Sequence, residues 1–193
     1  MIFLRLFKSF LVTLATLALF SQLSANAQTP APSEFSVGSY SFTRPDGWTW
    51  IQPNSPMRKA HLQIPAPTET EKTIADPVDV VFFYFGPGQG GSSDANIRRW
   101  LGQFQGKPED IDAKTAEAEV AGQKAIFVSA KGTFLSGMPG TPTQPKEDFA
   151  LRGAILTHPN GDVFVKMTGP RQAVEANETA FTKMVREAKI LAK

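Results

Sequence analysis

The run 78-VDVVFFYF-85 holds a single charge and is fenced by Pro77 and Gly86. A stretch this apolar fits a central strand covered on both faces rather than an edge strand with one face in water. A strand of that kind requires a layered fold in which other elements supply the covers. The next segment supplies one. In 93-SDANIRRWLGQF-104, Ile97, Trp100, Leu101 and Phe104 recur at the spacing of one helical face. Ser92, Ser93 or Asp94 can cap this helix by accepting from its free N–H groups.

The rest of the chain reads mainly as hairpins. Runs 114-KTAEAEV-120 and 123-QKAIFVSAKGTFL-135 flank Ala121-Gly122. Runs 149-FALRGAILT-157 and 162-DVFVKMT-168 flank Asn160-Gly161, a pair suited to the positive backbone angles of a tight turn. Upstream, 35-FSVGSYSF-42 has strand composition, 43-TRPDGW-48 is a turn and 48-WTWI-51 is a short extended piece. In 58-RKAHLQI-64, Ala60, Leu62 and Ile64 alternate with polar residues, the mark of a strand with one wet face. The polar stretches 65–77 and 136–148 read as loops. A last helix starts at Gly169-Pro170, with Val174, Phe181, Met184, Val185, Ala188 and Leu191 as its buried stripe. The expected class is α+β: a mainly antiparallel sheet of about six to eight strands sandwiched by two principal helices.

The N-terminus has the layout of an export signal. Arg5 and Lys8 form the positive region, 10-FLVTLATLALF-20 the apolar core and 25-ANA-27 the small-residue cleavage site. Cleavage is expected between Ala27 and Gln28. The apolar core is too short to span a bilayer, so no permanent membrane anchor is expected. The domain reading is a signal peptide over 1–27, a disordered lead-in over 28–34 and one α+β domain over 35–193. Of 20 basic and 18 acidic residues, the leader takes Arg5 and Lys8 and no acid. The remainder is electrically balanced, with no surplus to draw it to nucleic acid. The absence of cysteine excludes disulfides, thiol catalysis, cysteine-ligated metal centres and lipid attachment at a leader cysteine.

The combination 96-NIRRWLGQFQGKPEDIDAK-114, Gly122, 131-KGTF-134 and 163-VFVKMTGP-170 resembles a family of exported bacterial proteins of uncharacterised function. The layout is also similar to the PsbP-like fold, an antiparallel sheet sandwiched by helices. That resemblance implies a non-catalytic accessory or binding role.

Gly86, Gly88 and Gly91 fit G-x-G-x-x-G, and Glu109 and Asp110 follow at roughly the distance of a ribose-binding acid. The intervening residues leave no room for a second parallel strand, and no Walker lysine follows, so a structural loop is the expected reading. Arg98 and Arg99, read as lying near the positive end of their helix, call for an acidic partner or a bound anion. Arg152 shares the strand phase of Ala150, Ala154 and Leu156, and so needs a carboxylate, or else faces a ligand at a sheet–helix cleft. His61 and His158 have no metal-binding spacing and are expected to be solvated. Trp48, Trp50 and Trp100 are expected as core anchors.

Neither a metal nor a cofactor is expected. The leading functional reading is an exported, soluble, non-catalytic binding or accessory domain, periplasmic or secreted, whose partner is an envelope protein or a small ligand. The alternative is an extracytoplasmic hydrolase that uses carboxylates from 109–112, 117–119 and 147–148, or Ser129 or Ser136, assembled by folding.

Overall fold

A computed structural model describes residues 33–65, 76–137 and 144–192. The leader, most of the lead-in and the centres of the two expected loops lie outside the described residues. Thirteen elements follow in order: β1 (Glu34–Val37), β2 (Tyr40–Thr43), β3 (Thr49–Trp50), β4 (Arg58–Ile64), β5 (Val78–Tyr84), α1 (Ser93–Leu101), β6 (Lys114–Val120), β7 (Gln123–Ser136), β8 (Gln144–Leu156), β9 (Val163–Pro170), α2 (Arg171–Ala176), α3 (Glu178–Arg186) and β10 (Lys189–Ile190).

Seven strands form one sheet in the order β3-β4-β5-β9-β8-β7-β6, and β1, β2 and β10 form a second. Every strand pairing is antiparallel. The class is therefore α+β with a mainly antiparallel sheet between helices, as expected. The apolar run 78–85 sits inside the large sheet between β4 and β9.

Alternation along the strands divides the core in two. On one face, Leu62, Val80, Phe82, Ala150, Ala154, Val165 and Met167 pack with Phe35, Tyr40 and Phe42 of the small sheet and with Val174, Phe181 and Val185 of α2 and α3. On the other, Ile126, Val128, Leu151, Ile155 and Phe164 pack with Trp100, Phe104 and Ile111. Ser92 caps α1, its Oγ accepting from the Ala95 N–H at 3.2 Å. The helix stops at Leu101, and Phe104 reaches the core beyond it through a bridge to Phe134. The segment after α1 then follows β7: Gln105 N–H donates to Thr133 O at 2.9 Å, and Leu135 N–H to Gln103 O at 2.7 Å.

Four local readings change. Residues 35–42 are a hairpin, β1 and β2 turning through Gly38-Ser39, rather than one strand. Asn160-Gly161 does not form a two-residue turn: the register closes at Leu156–Val163, and residues 157–162 make a wider connection. The outer parts of the 136–148 loop are strand, because β8 already starts at Gln144. The final helix is broken at Asn177, whose amide nitrogen donates to Ala173 O at 2.9 Å while its Oδ1 accepts the Trp48 indole N–H at 3.2 Å. After α3 the chain leaves helical geometry to pair Lys189 and Ile190 with β2, so Leu191 is exposed (42%) and not part of a buried stripe.

The β6–β7 turn takes the expected form, with positive φ at both Ala121 (50°) and Gly122 (76°). Alanine carries a steric cost in this region that asparagine relieves by local hydrogen bonding. Ala121→Asn is expected to raise stability by about 1 kcal/mol, read as a higher urea midpoint at an unchanged slope.

Candidate functional site

The glycine segment is a packed connector. Asn96, 3% exposed, donates from its amide nitrogen to Gly90 O at 2.8 Å and to Ser92 O at 3.0 Å, and its Oδ1 accepts from Arg99 Nη1 at 3.0 Å. Gly90 has φ +91°, and a Cβ there would lie 2.7 Å from the Phe85 ring. Both neighbours of β5 run antiparallel to it, and β6 lies at the far edge of the sheet, so the parallel strands of a dinucleotide fold are absent among the described residues. Asn96→Ala leaves Gly90 O without its side-chain donor and the Arg99 guanidinium without this acceptor, while Ser92 O keeps the backbone N–H of residue 96. It is expected to cost about 2 kcal/mol, measured by chemical denaturation.

The electrostatic puzzle at Arg98 and Arg99 dissolves with the helix length. Because α1 ends at Leu101, both arginines stand in its last turn, at the negative end of the dipole, where cations are favoured. Both are exposed, and neither pairs with Asp94. Arg152 donates from Nη2 to Glu178 Oε2 at 2.9 Å and from Nη1 to Leu151 O at 3.1 Å, so α3 supplies the carboxylate its buried strand phase requires. The structure does not bring Arg98 and Arg99 together with Arg152: they stand with the α1 layer, whereas Arg152 faces α3.

Of the serines and acids of the hydrolase reading, Ser129 and Asp112 line one small cavity with Arg152, Glu175 and Glu178, and the others lie apart from it. Ser136 donates to Gln144 O, Asp112 pairs with Lys114 and Lys131, Glu117 with Lys124, and Asp148 with Arg171. Neither histidine contacts a serine of that reading: His158 Nδ1 accepts the Asn160 N–H at 3.0 Å, and His61 bonds an aspartate.

That aspartate leads to a different site. His61 is not solvated as expected but 8% exposed, with Nε2 at 2.8 Å from Asp79 Oδ1. Gln63 donates to the same oxygen at 3.3 Å. Strand register carries this polar row onto β9, where Asp79 stands opposite Thr168 and Val81 opposite Lys166. The row lines a cavity of about 260 Å³ formed by Arg58, Asp79, Phe83, Phe134, Lys146, Phe149, Lys166 and Thr168, among others.

Two irregularities bring cations to it. The β4–β5 register shifts between Arg58 and Ala60, turning Arg58 to the face of Phe83 instead of that of Ala60. The β7–β8 register shifts between Gly132 and Phe134, setting Lys146 opposite Phe134, with Asp148 at φ +54° within the irregular stretch. A β-bulge re-aims side chains in this way, and here two of them serve one cavity. Lys146 pairs with Asp76 at 2.8 Å. Lys166 Nζ donates to Gln103 Oε1 at 2.9 Å and lies 5.8 Å from the Phe134 ring centroid. The Arg58 guanidinium makes no hydrogen bond or ion pair among the described residues. The Thr168 hydroxyl oxygen is buried without a hydrogen-bond partner.

Burial, and then the nearby Arg58 charge, lower the Lys166 ammonium from its ordinary 10.5 to about 8, the Asp79 charge opposing them. For Asp79, burial alone acts upward. The hydrogen bonds from His61 and Gln63, with the His61 and Arg58 charges, outweigh it and hold the carboxyl below the usual carboxylate range. A depressed carboxyl contributes stability above its unfolded-state pKa and loses it as pH falls through the folded value. Asp79→Asn is therefore expected to cost about 1 kcal/mol at pH 7, the half-exposed carboxylate being partly screened. The difference from the native protein should vanish towards pH 2, which denaturation at both pH values checks.

No protein-family model and no curated protein matches the sequence. Solved structures share the fold. The chain is similar to LpqN of Mycobacterium tuberculosis, a protein involved in cell envelope biogenesis, with a TM-score of 0.50 and 12% identity over 81% of this chain and 87% of that one. It is also similar to the PsbP protein CyanoP of Synechocystis sp. PCC 6803, with a TM-score of 0.49 and 9% identity over 87% of this chain and 99% of that one. At these identities the likeness is one of fold.

Proposed function

We propose that the chain is an exported, soluble, non-catalytic binding domain that receives a small ligand in the Lys166 cavity. The observation that carries the reading is a lysine ammonium in an aromatic-walled cavity with, among the described residues, only a neutral amide as its hydrogen-bond partner. Burying such a charge costs stability and is tolerated where a ligand later completes the site. The leader layout before Gln28 supports export, and LpqN, which has this fold, is involved in cell envelope biogenesis. Among the described residues no helix is long and apolar enough to cross a membrane. The domain over 35–193 and an envelope protein as a further partner belong to the same proposal; Arg98, Arg99 and Arg152 do not line this cavity, and ligand contacts by them are proposed as separate from it.

The test has two parts. N-terminal sequencing of the protein recovered from fractionated cells is expected to start at Gln28 in the extracytoplasmic fraction; retention of Met1 in the cytoplasm overturns export. Screening charged and neutral small molecules by amide chemical shifts is expected to move resonances around Lys166. Turnover of an ester or glycoside library, abolished by changing Ser129 or the acids of 109–112, would instead support the hydrolase.

A further inference from the structure

We infer that the Lys166 cavity selects organic anions, the acid group lying between Arg58 and Lys166 and the apolar body on Phe83, Phe134 and Phe149. The inference rests on the cavity being a ligand site and adds the class of ligand. It follows from which charges are already matched. Among the described residues, five charged side chains line the cavity: Arg58 from β4, Asp76 and Asp79 before and within β5, Lys146 from β8 and Lys166 from β9. Both acids are committed, Asp76 to Lys146 and Asp79 to His61 and Gln63. Among the described residues, Arg58 and Lys166 are left without a carboxylate in hydrogen-bond contact. One ligand acid group supplies acceptors for both. With Asp79 acting on both at longer range, the described lining still carries three cations against two acids; a neutral ligand leaves that excess in place, and a cationic ligand adds to it.

The other wall fixes the rest of the molecule. Phe134 and Phe149 stack at 5.9 Å with planes 13° apart; Lys146 lies over the Phe149 ring at 5.4 Å and Lys166 over the Phe134 ring at 5.8 Å. Phe134 and Phe149 are largely buried, so the half-buried Phe83 ring is the open part of this wall, which an inorganic anion leaves wet and a flat or aliphatic body covers. At about 260 Å³ the cavity falls below the ~300–1,000 Å³ of drug-sized pockets, so one compact molecule fills it.

Phenylacetate, its neutral isostere phenylacetamide, phenethylamine and inorganic phosphate are the probes, titrated into the protein at pH 7 while backbone amides are followed by NMR. Phenylacetate is expected to shift Arg58, Asp79, Phe134, Lys166 and Thr168, and to bind at least about tenfold more tightly than the amide or the amine. Lys166→Met and Arg58→Gln should each weaken phenylacetate by about tenfold or more and phenylacetamide by clearly less, its neutral carbonyl accepting weaker bonds from the same donors. Equal binding of the amide or the amine at these residues overturns anion selection and leaves the ligand cavity standing. Phosphate binding as tightly as phenylacetate overturns the apolar half of the inference. Failure of every probe to move these residues overturns both the inference and the cavity as a ligand site.

Discussion

Replacing Gly153 by alanine should destabilise the protein by about 3 kcal/mol, at the upper end of what overpacking costs. Gly153 lies in the middle of β8, and a Cβ added there would stand 2.5 Å from Cζ3 of Trp100 and 2.8 Å from its Cε3. Both contacts are far inside van der Waals distance, and neither side can yield cheaply. Trp100 is 6% exposed and is the main contact of α1 with the sheet, while Gly153 is held by β7 on one side and β9 on the other. Relief requires the ring, and with it α1, to lift from the sheet. The expected result is a lower denaturation midpoint and faster amide exchange in 93–104, with the opposite face of the sheet protected as before. A Trp100→Leu change in the same chain removes most of the clash, so the double variant should cost clearly less than the two single costs added together. Additive costs would show that the ring does not rest on Gly153.

Lys166→Met should act in the other direction, stabilising the protein near neutral pH. The folded-state ammonium is lowered to about 8 from 10.5, so the unfolded chain holds the extra proton between those values. Stability then rises with pH across that window, and the penalty of the buried charge is fully present below about pH 8. The shift corresponds to something on the order of 3 kcal/mol, from which the loss of the Gln103 hydrogen bond subtracts about 1 kcal/mol. The methionine side chain of the variant is unbranched and apolar enough to lie on Phe134 without that penalty. Denaturation at pH 7 and pH 10 provides the measurement: the variant should lead by about 2 kcal/mol at pH 7 and lose that lead by pH 10. A variant less stable at both would mean that Lys166 is better compensated than its contacts indicate.

The elements were largely legible in the sequence because their signals are local. The apolar run 78–85, the Ile97–Phe104 stripe and the alternation of 58–64 each report a period, and each formed the element it implied, the helix only as far as Leu101. The helix ends were not legible, because Asn177 breaks the last helix through a bond to Trp48, a residue far away in sequence. The cavity was less legible still. His61 and Gln63 read as a wet strand face, which fails for His61, 8% exposed, because β5 sets Asp79 beside it and alternation is silent about such neighbours. Lys166 read as the polar member of an alternating strand. Arg58 and Lys146 reach the cavity only because register slips at two bulges, and a slip has no signature in alternation. The one available signal was chemical: a lysine flanked by Val165 and Met167 and, two residues on, a threonine, in a strand between apolar neighbours.

The strand order also has a kinetic consequence. Strands β6 to β9 are consecutive in sequence and adjacent in space, a meander that closes through short connections. The pairing of β5 with β9 joins Val80 to Met167 and must draw the whole intervening chain into a loop. Local contacts form first and distant ones later, so the meander is the natural nucleus, and the N-terminal strands dock on a surface already made. Core substitutions in β7 and β8 should therefore slow refolding, whereas those in β1 and β2 should chiefly hasten unfolding. The half of the cavity contributed by β4 and β5 would then be the last part of the site to assemble and the first to come apart.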